Sequence, residues 1–460
     1  MAWIERLLPE QKPAVEFIAT RPGTLLLGDT GVGKTYITLA AIERLAREAG
    51  RVPFRVLLVV PLTSLDVVWT PKLITFEDSD EELTQFWVVR DPEELPRRRK
   101  NAPASSQERP ERLLLILHMQ AFSKYSRRLA KKEWDFVIID ESQVLKARGS
   151  GFSRAARRVR NAKRRLALSA TPLDRSPIDL FGQMRFVDHT ILGEDFTPFA
   201  DRYTKPGGWK GKKKIFRASK MGRFLQELAP AMFRLTKDFL NLPPMTITHV
   251  PVQLLGKQAR LYEQMNVHSV THEPAITARL AVTKQVKLEQ ITGGLVIDDT
   301  ETPVLVGHAK ERKLKTLLKR VTDRPIVVFC KYLHEIPMII SVLTGRVSWL
   351  HGAIKGEART AVINDFQAGR IDALVCQVRT GGVSIELTRS CTMIFYSFGF
   401  SLIDFEQILG RFHRGGQTKP VNIYIIHAVN TVDDEIIEAI GEKYVVFNEI
   451  TSVDSNRPSR

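Results

Sequence analysis

Two lobes of α/β type, each built on a parallel sheet, are the fold class that the 460-residue sequence predicts. Three observations predict it. Short apolar runs alternate with amphipathic stretches, the pattern of strands joined by crossover helices. The polar clusters fall where the apolar runs end, and sites in parallel sheets lie at the carboxyl ends of strands. The same kind of layout then returns, without any repeat of sequence, after a basic, glycine-rich interval between about 191 and 245.

In chain order, LLPEQKPAVEFIAT has apolar residues at helical spacing and carries Gln11. The apolar run Leu25–Leu27 enters a glycine-rich turn, and a helical pattern leaves it. FRVLLVVPLTSL reads as a buried strand ending at Pro61, with Thr63 and Ser64 just beyond. DPEELPRRRKNAPASSQERPERL reads as a surface excursion carrying the basic run Arg97–Lys100. LLLILHMQAF, WDFVIIDESQVL and RRLALSATPL are further strands, the last two ending in Asp140 and Glu141 and in Ser169, Ala170 and Thr171. ADRYTKPGGWKGKKKIFRASK is basic and glycine-rich. FLQELAPAMFRLTKDFL after it reads as helical, punctuated by Pro243 and Pro244. The second lobe follows with strands at RPIVVFC, WLHG, DALVCQV, CTMIFYSF and VNIYIIHAV and a helix at AVINDFQAGR; residues from about 265 to 308 form a second insertion. The tail TSVDSNRPSR is expected to fray.

Composition bounds the function. Hydrophobic residues make up 43% and charged residues 26%, ordinary for a soluble globular protein of two or three domains. No apolar run has the length of a membrane span, and the N-terminus lacks a signal-peptide pattern, so no membrane role is expected. Cys330, Cys376 and Cys391 form no CxxC pair and sit in strand-like contexts, which predicts buried thiols in a reducing compartment. The 68 Lys+Arg against 51 Asp+Glu leave a net charge of +17, which favours a polyanionic partner because neutralised phosphates release counterions.

Gly28, Gly33, Lys34 and Thr35 match G-x-x-x-x-G-K-[ST] in full. Glycines let the backbone curl so that its N–H groups and the positive end of the next helix cradle phosphates. Lys34 would reach the β- and γ-phosphates, and the Thr35 hydroxyl would ligate Mg²⁺. A plain strand–turn–helix is the competing reading, but a chance match is a roughly 1–2% event at ordinary glycine usage. Asp140 and Glu141, about 105 residues downstream and directly after a buried strand, supply a metal-holding carboxylate and a base or water-positioner. QILGRFHRGGQ places Gln407, Arg411 and Arg414 so that the arginines share a helical face, as fingers for a γ-phosphate bound to the other lobe. His413, between them, reads as a packing neighbour.

Taken in order, Gln11, GDTGVGKT, VVPLTSL, DESQ, LSATP, VVFC, WLHG, VRTGGVSIEL and QILGRFHRGGQTKPVNIYII resemble the motifs of superfamily-two helicases. The last two, with LPPM…VPVQLLGKQARLY, most resemble the Swi/Snf-like DNA-dependent ATPases. The resemblance covers roughly residues 5 to 430. It implies two RecA-like lobes of the P-loop NTPase type: an ATP-binding lobe over 1–190, a helical and basic bridge over 191–245, and a C-terminal lobe over 246–460. ATP and Mg²⁺ are the implied cofactors. Matching residues put Gln11 near the adenine, with Gly28, Asp29, Thr30, Gly31, Val32, Gly33, Lys34 and Thr35 around the phosphates and Gln407 facing them. Lys34, Asp140, Glu141, Gln143, Arg411 and Arg414 would be catalytic; Thr63, Ser169, Thr171, Thr380, Gly381 and Gly382 would couple hydrolysis to DNA. DESQ replaces the more usual DEAH or DEGH, Glu386 stands where asparagine is common, and Gly415 where isoleucine is common.

The resemblance implies an ATPase that translocates on duplex DNA, gripping its backbone around Thr63, His118 and Thr380 without reading bases. Arg97–Lys100, Arg154–Arg165 and Lys210–Lys214 would add an electrostatic track, and Trp209 could stack on a base. A strand-separating helicase and an ATP-switched DNA clamp are the alternatives. A bare monomeric motor is expected, with recruitment left to a protein partner. Its place would be the cytoplasm, nucleoid-associated in a bacterial or viral setting, or the nucleus of a eukaryote.

Overall fold

In the computed structural model the chain divides into two compact units, Met1–Phe239 with Val445–Arg460, and Leu240–Tyr444. The structure describes residues 3–50, 54–77, 87–91, 93, 112–174, 176–207, 213–378 and 385–451. Thr380, Gly381, Gly382, the run Arg97–Lys100, Trp209 and Lys210–Lys212 lie outside the described residues, as does the tail beyond Thr451.

The first unit is a seven-stranded sheet, parallel throughout. Its strands are β1 (Gly23–Gly28), β2 (Phe54–Val60), β3 (Trp87–Val89), β4 (Arg112–His118), β5 (Phe136–Ile139), β6 (Arg164–Ser169) and β7 (Met232–Leu235), in the order β3-β4-β2-β5-β6-β1-β7. Successive side chains on a strand point to opposite faces. Leu25, Leu27, Leu57 and Val59 therefore enter one core, with Phe122, Ala155 and Phe181 from the helices on that face. Leu26, Val56, Leu58 and Val60 enter the other, against Val15 and Ile18 of helix α1 (Lys12–Thr20) and Ile37 and Ala41 of helix α2 (Lys34–Glu48). Burial on both faces is why these strands read as unbroken apolar runs.

The stretch FLQELAPAMFRL departs from the helical expectation. A helix runs only over Met221–Leu228 and a 3₁₀ turn over Ala229–Ala231; the chain then enters β7, which pairs Met232 with Leu25. Pro230 lacks an amide hydrogen and cannot continue the helix. The apolar side chains after it fit the edge of the sheet, where Met232, Phe233 and Leu235 are buried. Residues 191–239 thus group with the first unit, and so does the end of the helix Val432–Thr451, where Val446 packs on the first core.

The second unit is a six-stranded parallel sheet of β8 (Met245–Val252), β9 (Ile326–Cys330), β10 (Val347–Leu350), β11 (Ala373–Gln377), β12 (Thr392–Phe395) and β13 (Val421–Ala428), in the order β8-β13-β12-β9-β11-β10. Between β8 and β9 lie the helices Gly256–His268 and Ala281–Gly293 with two short hairpins, Val270–His272 with Ala275–Thr277 and Leu295–Ile297 with Pro303–Leu305. Cys330, Cys376 and Cys391 are buried, free thiols, and burial raises the pKa of each.

Candidate nucleotide site

The strand order decides what meets at the carboxyl edge of the first sheet. The loop after β1 carries Gly28–Gly33, the turn after β6 carries Ser169 and Thr171, and the turn after β5 carries Asp140 and Glu141. Because β6 lies between β5 and β1, Ser169 and Thr171 fall between the acids and the loop. Next along the edge come Thr63 after β2 and His118 at the end of β4, whose strands pair Val60 with His118.

The loop is closely wound. Gly31 and Gly33 take φ of 89° and 85°, the left-handed region where glycine carries no steric penalty. A Cβ on Gly33 would stand 2.4 Å from Gln11 Nε2, and one on Gly28 would stand 2.9 Å from Val32 Cγ2. Gln11 is buried; its Nε2 donates to Val32 O at 2.8 Å, and its Oε1 accepts from Leu8 N at 2.8 Å. Gly33 caps α2, so the unpaired N–H groups of the first helical turn face the loop. Lys34 Nζ lies across the loop, donating to Gly28 O at 2.7 Å and Asp29 O at 3.0 Å. Burial lowers its pKa, against the pull of Glu141, Asp140 and Asp29.

Asp29 serves the loop's anchorage. Its carboxylate takes Arg234 of β7 and, at 3.0 Å, Lys237 N, while its own amide donates to Leu235 O at 3.0 Å. Thr30, Gly31 and Val32 complete the loop, and Thr35 stands in the first turn of α2.

Asp140 Oδ1 accepts from Glu141 N at 2.9 Å and Oδ2 from Trp69 Nε1 at 3.0 Å. Burial, and Glu141 beside it, push this carboxyl up to about 6. Glu141 has φ of 49°, a strained value for a residue with a side chain. Gln143 Nε2 donates to Glu141 Oε2 at 2.6 Å, Ser169 Oγ donates to Gln143 Oε1 at 2.8 Å, and Thr171 N donates to Ser169 Oγ at 3.1 Å. A second tie runs beside it: Ser142 Oγ donates to Gln183 Oε1 at 2.9 Å, and Gln183 Nε2 donates to Pro172 O at 2.8 Å. The two turns are therefore bolted together by two chains of buried hydrogen bonds.

This geometry suits a nucleotide triphosphate with a divalent cation. A tightly wound loop of amides, an ammonium lowered by burial and a carboxylate raised by it are charges that an anion and a cation would satisfy.

Gln407 and Arg411 stand on the helix Leu402–Phe412 of the second unit, but Arg414 does not share their helical face. The helix stops because His413 leaves it, at φ −101° and ψ 78°, with Nε2 2.7 Å from Pro243 O. Gly416 (φ 98°) and buried Gln417, which donates to Ser390 O at 3.0 Å, shape the turn that carries Arg414. Much of the Arg154–Arg165 run is engaged internally: Arg158 with Ser126 Oγ at 3.0 Å, Arg160 with Glu194, Arg164 with Arg21 O at 2.9 Å, and Arg165 with Val187 O at 2.8 Å. Lys214 approaches Asp201 at 3.8 Å.

Trp69, Arg234 and Gln183 escaped the motif reading. The signal for Arg234 was the short apolar run broken by Pro230; Trp69 and Gln183 carry none that spacing could reveal.

The model of the SNF2-related domain matches residues 10–315, more than half of the chain, and that of the helicase conserved C-terminal domain matches residues 309–416. The chain belongs to the SNF2-related family. It carries both an SNF2-related domain and a helicase conserved C-terminal domain, and it holds two parallel α/β sheets, as the sequence predicts. Among its SNF2 relatives, a Bacillus subtilis protein bearing the name of an ATP-dependent helicase/translocase, YwqA, is 24% identical over 93% of this chain and 46% of its own length. The Drosophila melanogaster SWI/SNF-related matrix-associated actin-dependent regulator of chromatin subfamily A-like protein 1 is 24% identical over 97% of this chain and 56% of its own. The chain thus spans about half the length of these relatives. The solved SWI2/SNF2 ATPase core of Sulfolobus solfataricus, in complex with dsDNA, aligns over 98% of this chain and 94% of that one, with 21% identity and a TM-score of 0.44.

Proposed function

We propose that this SNF2-family chain hydrolyses ATP and uses the cycle to translocate on double-stranded DNA, displacing or remodelling what is bound there. The observation that carries the reading is the hydrogen-bond chain from Glu141 through Gln143 to Ser169 and Thr171, set beside a complete phosphate loop. The loop amides and Lys34 bind the phosphates, and Thr35 and Asp140 are the residues to hold Mg²⁺. When bound, the ion neutralises charge on the β- and γ-phosphate oxygens. Glu141 accepts the proton of the attacking water, and Gln143 fixes the carboxylate that does so. Arg411 and Arg414 supply positive charge from the second unit, with Gln407 on the same helix as Arg411. Ser169 and Thr171 report the state of Glu141 to the strand end, and Thr63, with Thr380, Gly381 and Gly382 in the second lobe, meets the DNA backbone.

The net charge of +17 supports a polyanionic track. Among the described residues no helix is long and apolar enough to cross a membrane. We place the protein with DNA, in the cytoplasm or nucleus according to its source, acting as a single chain.

The test is steady-state hydrolysis of ATP without nucleic acid and with single-stranded DNA, duplex DNA and RNA, beside Glu141→Gln. Strong stimulation by duplex, lost in the variant, is expected. Preference for single strands would favour strand separation. No response to any nucleic acid would contradict the reading.

A further inference from the structure

Asp140 is held by a residue that no motif of the site contains. The chain leaves β2 at Pro61, whose carbonyl accepts from Ser64 N and Leu65 N at 3.1 Å each, and passes through a π-helical turn over Leu65–Trp69 closed by Thr70 N on Leu65 O. A π turn holds one residue more than an α turn, so the side chain that follows is rotated relative to an α-helical continuation; such turns recur at functional sites. Here the turn ends on Trp69, which is fully buried in the core that Leu58, Val60 and Ile138 share. A buried indole has a single donor, and it needs an acceptor. It goes to Asp140 Oδ2, 71 residues away in sequence and at 3.0 Å.

We infer that Trp69 is a positioning residue for the metal-side carboxylate, joining the turn that carries Thr63 to Asp140. The carboxylate is fixed from both sides. Glu141 N holds Oδ1 at 2.9 Å and Trp69 holds Oδ2, and each oxygen keeps a second lone-pair site for a cation. The Asp140 backbone is pinned as well, its amide donating to Val59 O at 2.8 Å. With the ring embedded in the core, the indole N–H cannot follow a rotation of the carboxylate; it selects one orientation. The same residue lies six positions after Thr63, on the segment that leaves β2. This inference rests on the proposed reading of the site as an ATP site.

The experiment compares wild type with W69F, which keeps an aromatic ring and removes the N–H, and follows ADP binding by calorimetry over a Mg²⁺ series, with no turnover involved. ADP affinity without Mg²⁺ is expected to match wild type, and the Mg²⁺ concentration for half-maximal enhancement is expected to rise about tenfold, as for the loss of other outer partners of metal ligands. In an Asp140→Ala background the same change has no further effect. If W69F does not fold, site-specific replacement of Trp69 by benzothienylalanine keeps the shape and still removes the donor. An unchanged Mg²⁺ dependence in either variant would overturn the inference. Wild type whose ADP binding ignores Mg²⁺ would overturn the inference alone, whereas wild type that binds no ADP with or without Mg²⁺ would overturn the ATP reading, and the inference with it.

Discussion

Burial and the neighbouring Glu141 push the Asp140 carboxyl up to about 6, while the Trp69 indole and Lys34 draw it back. The unfolded value is 3.8, so the folded chain holds this proton more tightly. The cost of ionising Asp140 is absent below pH 3.8, develops between there and about 6, and is complete above. Asp140→Asn is therefore expected to stabilise the metal-free protein at pH 8 by about 1–3 kcal/mol, a gain that vanishes towards pH 4; urea unfolding at both pH values reads it. On the proposed role of Asp140 in holding Mg²⁺, the same protonation would remove a metal ligand, and kcat/KM for ATP is expected to fall as pH drops below about 6. Gln143 has a different role. Gln143→Leu strips Glu141 of its partner and leaves the buried Ser169 hydroxyl without its acceptor. With Glu141 in its proposed role as base, the expected outcome is kcat lowered about tenfold or more with KM for ATP nearly unchanged, since the lost contact would orient that base rather than bind substrate.

Among the elements, β7 governs how well the loop is held. Arg234 of β7 and Asp29 of the loop form a largely buried pair, with side-chain exposures of 9% and 20%. Removing one partner leaves an uncompensated charge, so Arg234→Met is expected to cost about 3 kcal/mol, read as a lower urea midpoint. Gly33→Ala strikes the loop itself, where φ of 85° and a Cβ 2.4 Å from Gln11 Nε2 both forbid a side chain. Binding of a fluorescent ATP analogue should be lost while the far-UV spectrum is kept. Here the limits of legibility are physical. Most strands of the two sheets were legible because burial on two faces makes continuous apolar runs, and the loop and acids because phosphate and metal chemistry demand particular residues at particular spacings; the edge strands Trp87–Val89 and Met245–Val252 were not, the latter being largely exposed and carrying no such run. β7 was not: read by periodicity, MFRL continues the amphipathic helix before it, and only its pairing with β1 makes it a strand. Trp69 and Gln183 act across 71 and 41 residues of chain, distances over which local pattern carries no signal. Arg414 looked helical by spacing, but His413 bonds to Pro243 O, 170 residues away, and ends the helix first.

For the whole molecule, the excess of 68 basic over 51 acidic residues predicts that the proposed interaction with DNA is electrostatic. Duplex-stimulated hydrolysis should weaken steeply with salt: between 50 and 200 mM, a footprint of about six phosphate contacts raises the half-maximal duplex concentration by roughly three orders of magnitude. Basal hydrolysis should change little, since the phosphate site is built from partly shielded groups. The central claim, however, is motion along duplex DNA, and hydrolysis alone does not report it. Displacement of a triplex-forming strand from duplex DNA does. We predict ATP-dependent displacement by the wild-type chain and none by Lys34→Ala or Glu141→Gln. A chain that hydrolyses ATP in response to duplex DNA but leaves the third strand in place would contradict the account and make the protein an ATP-switched clamp.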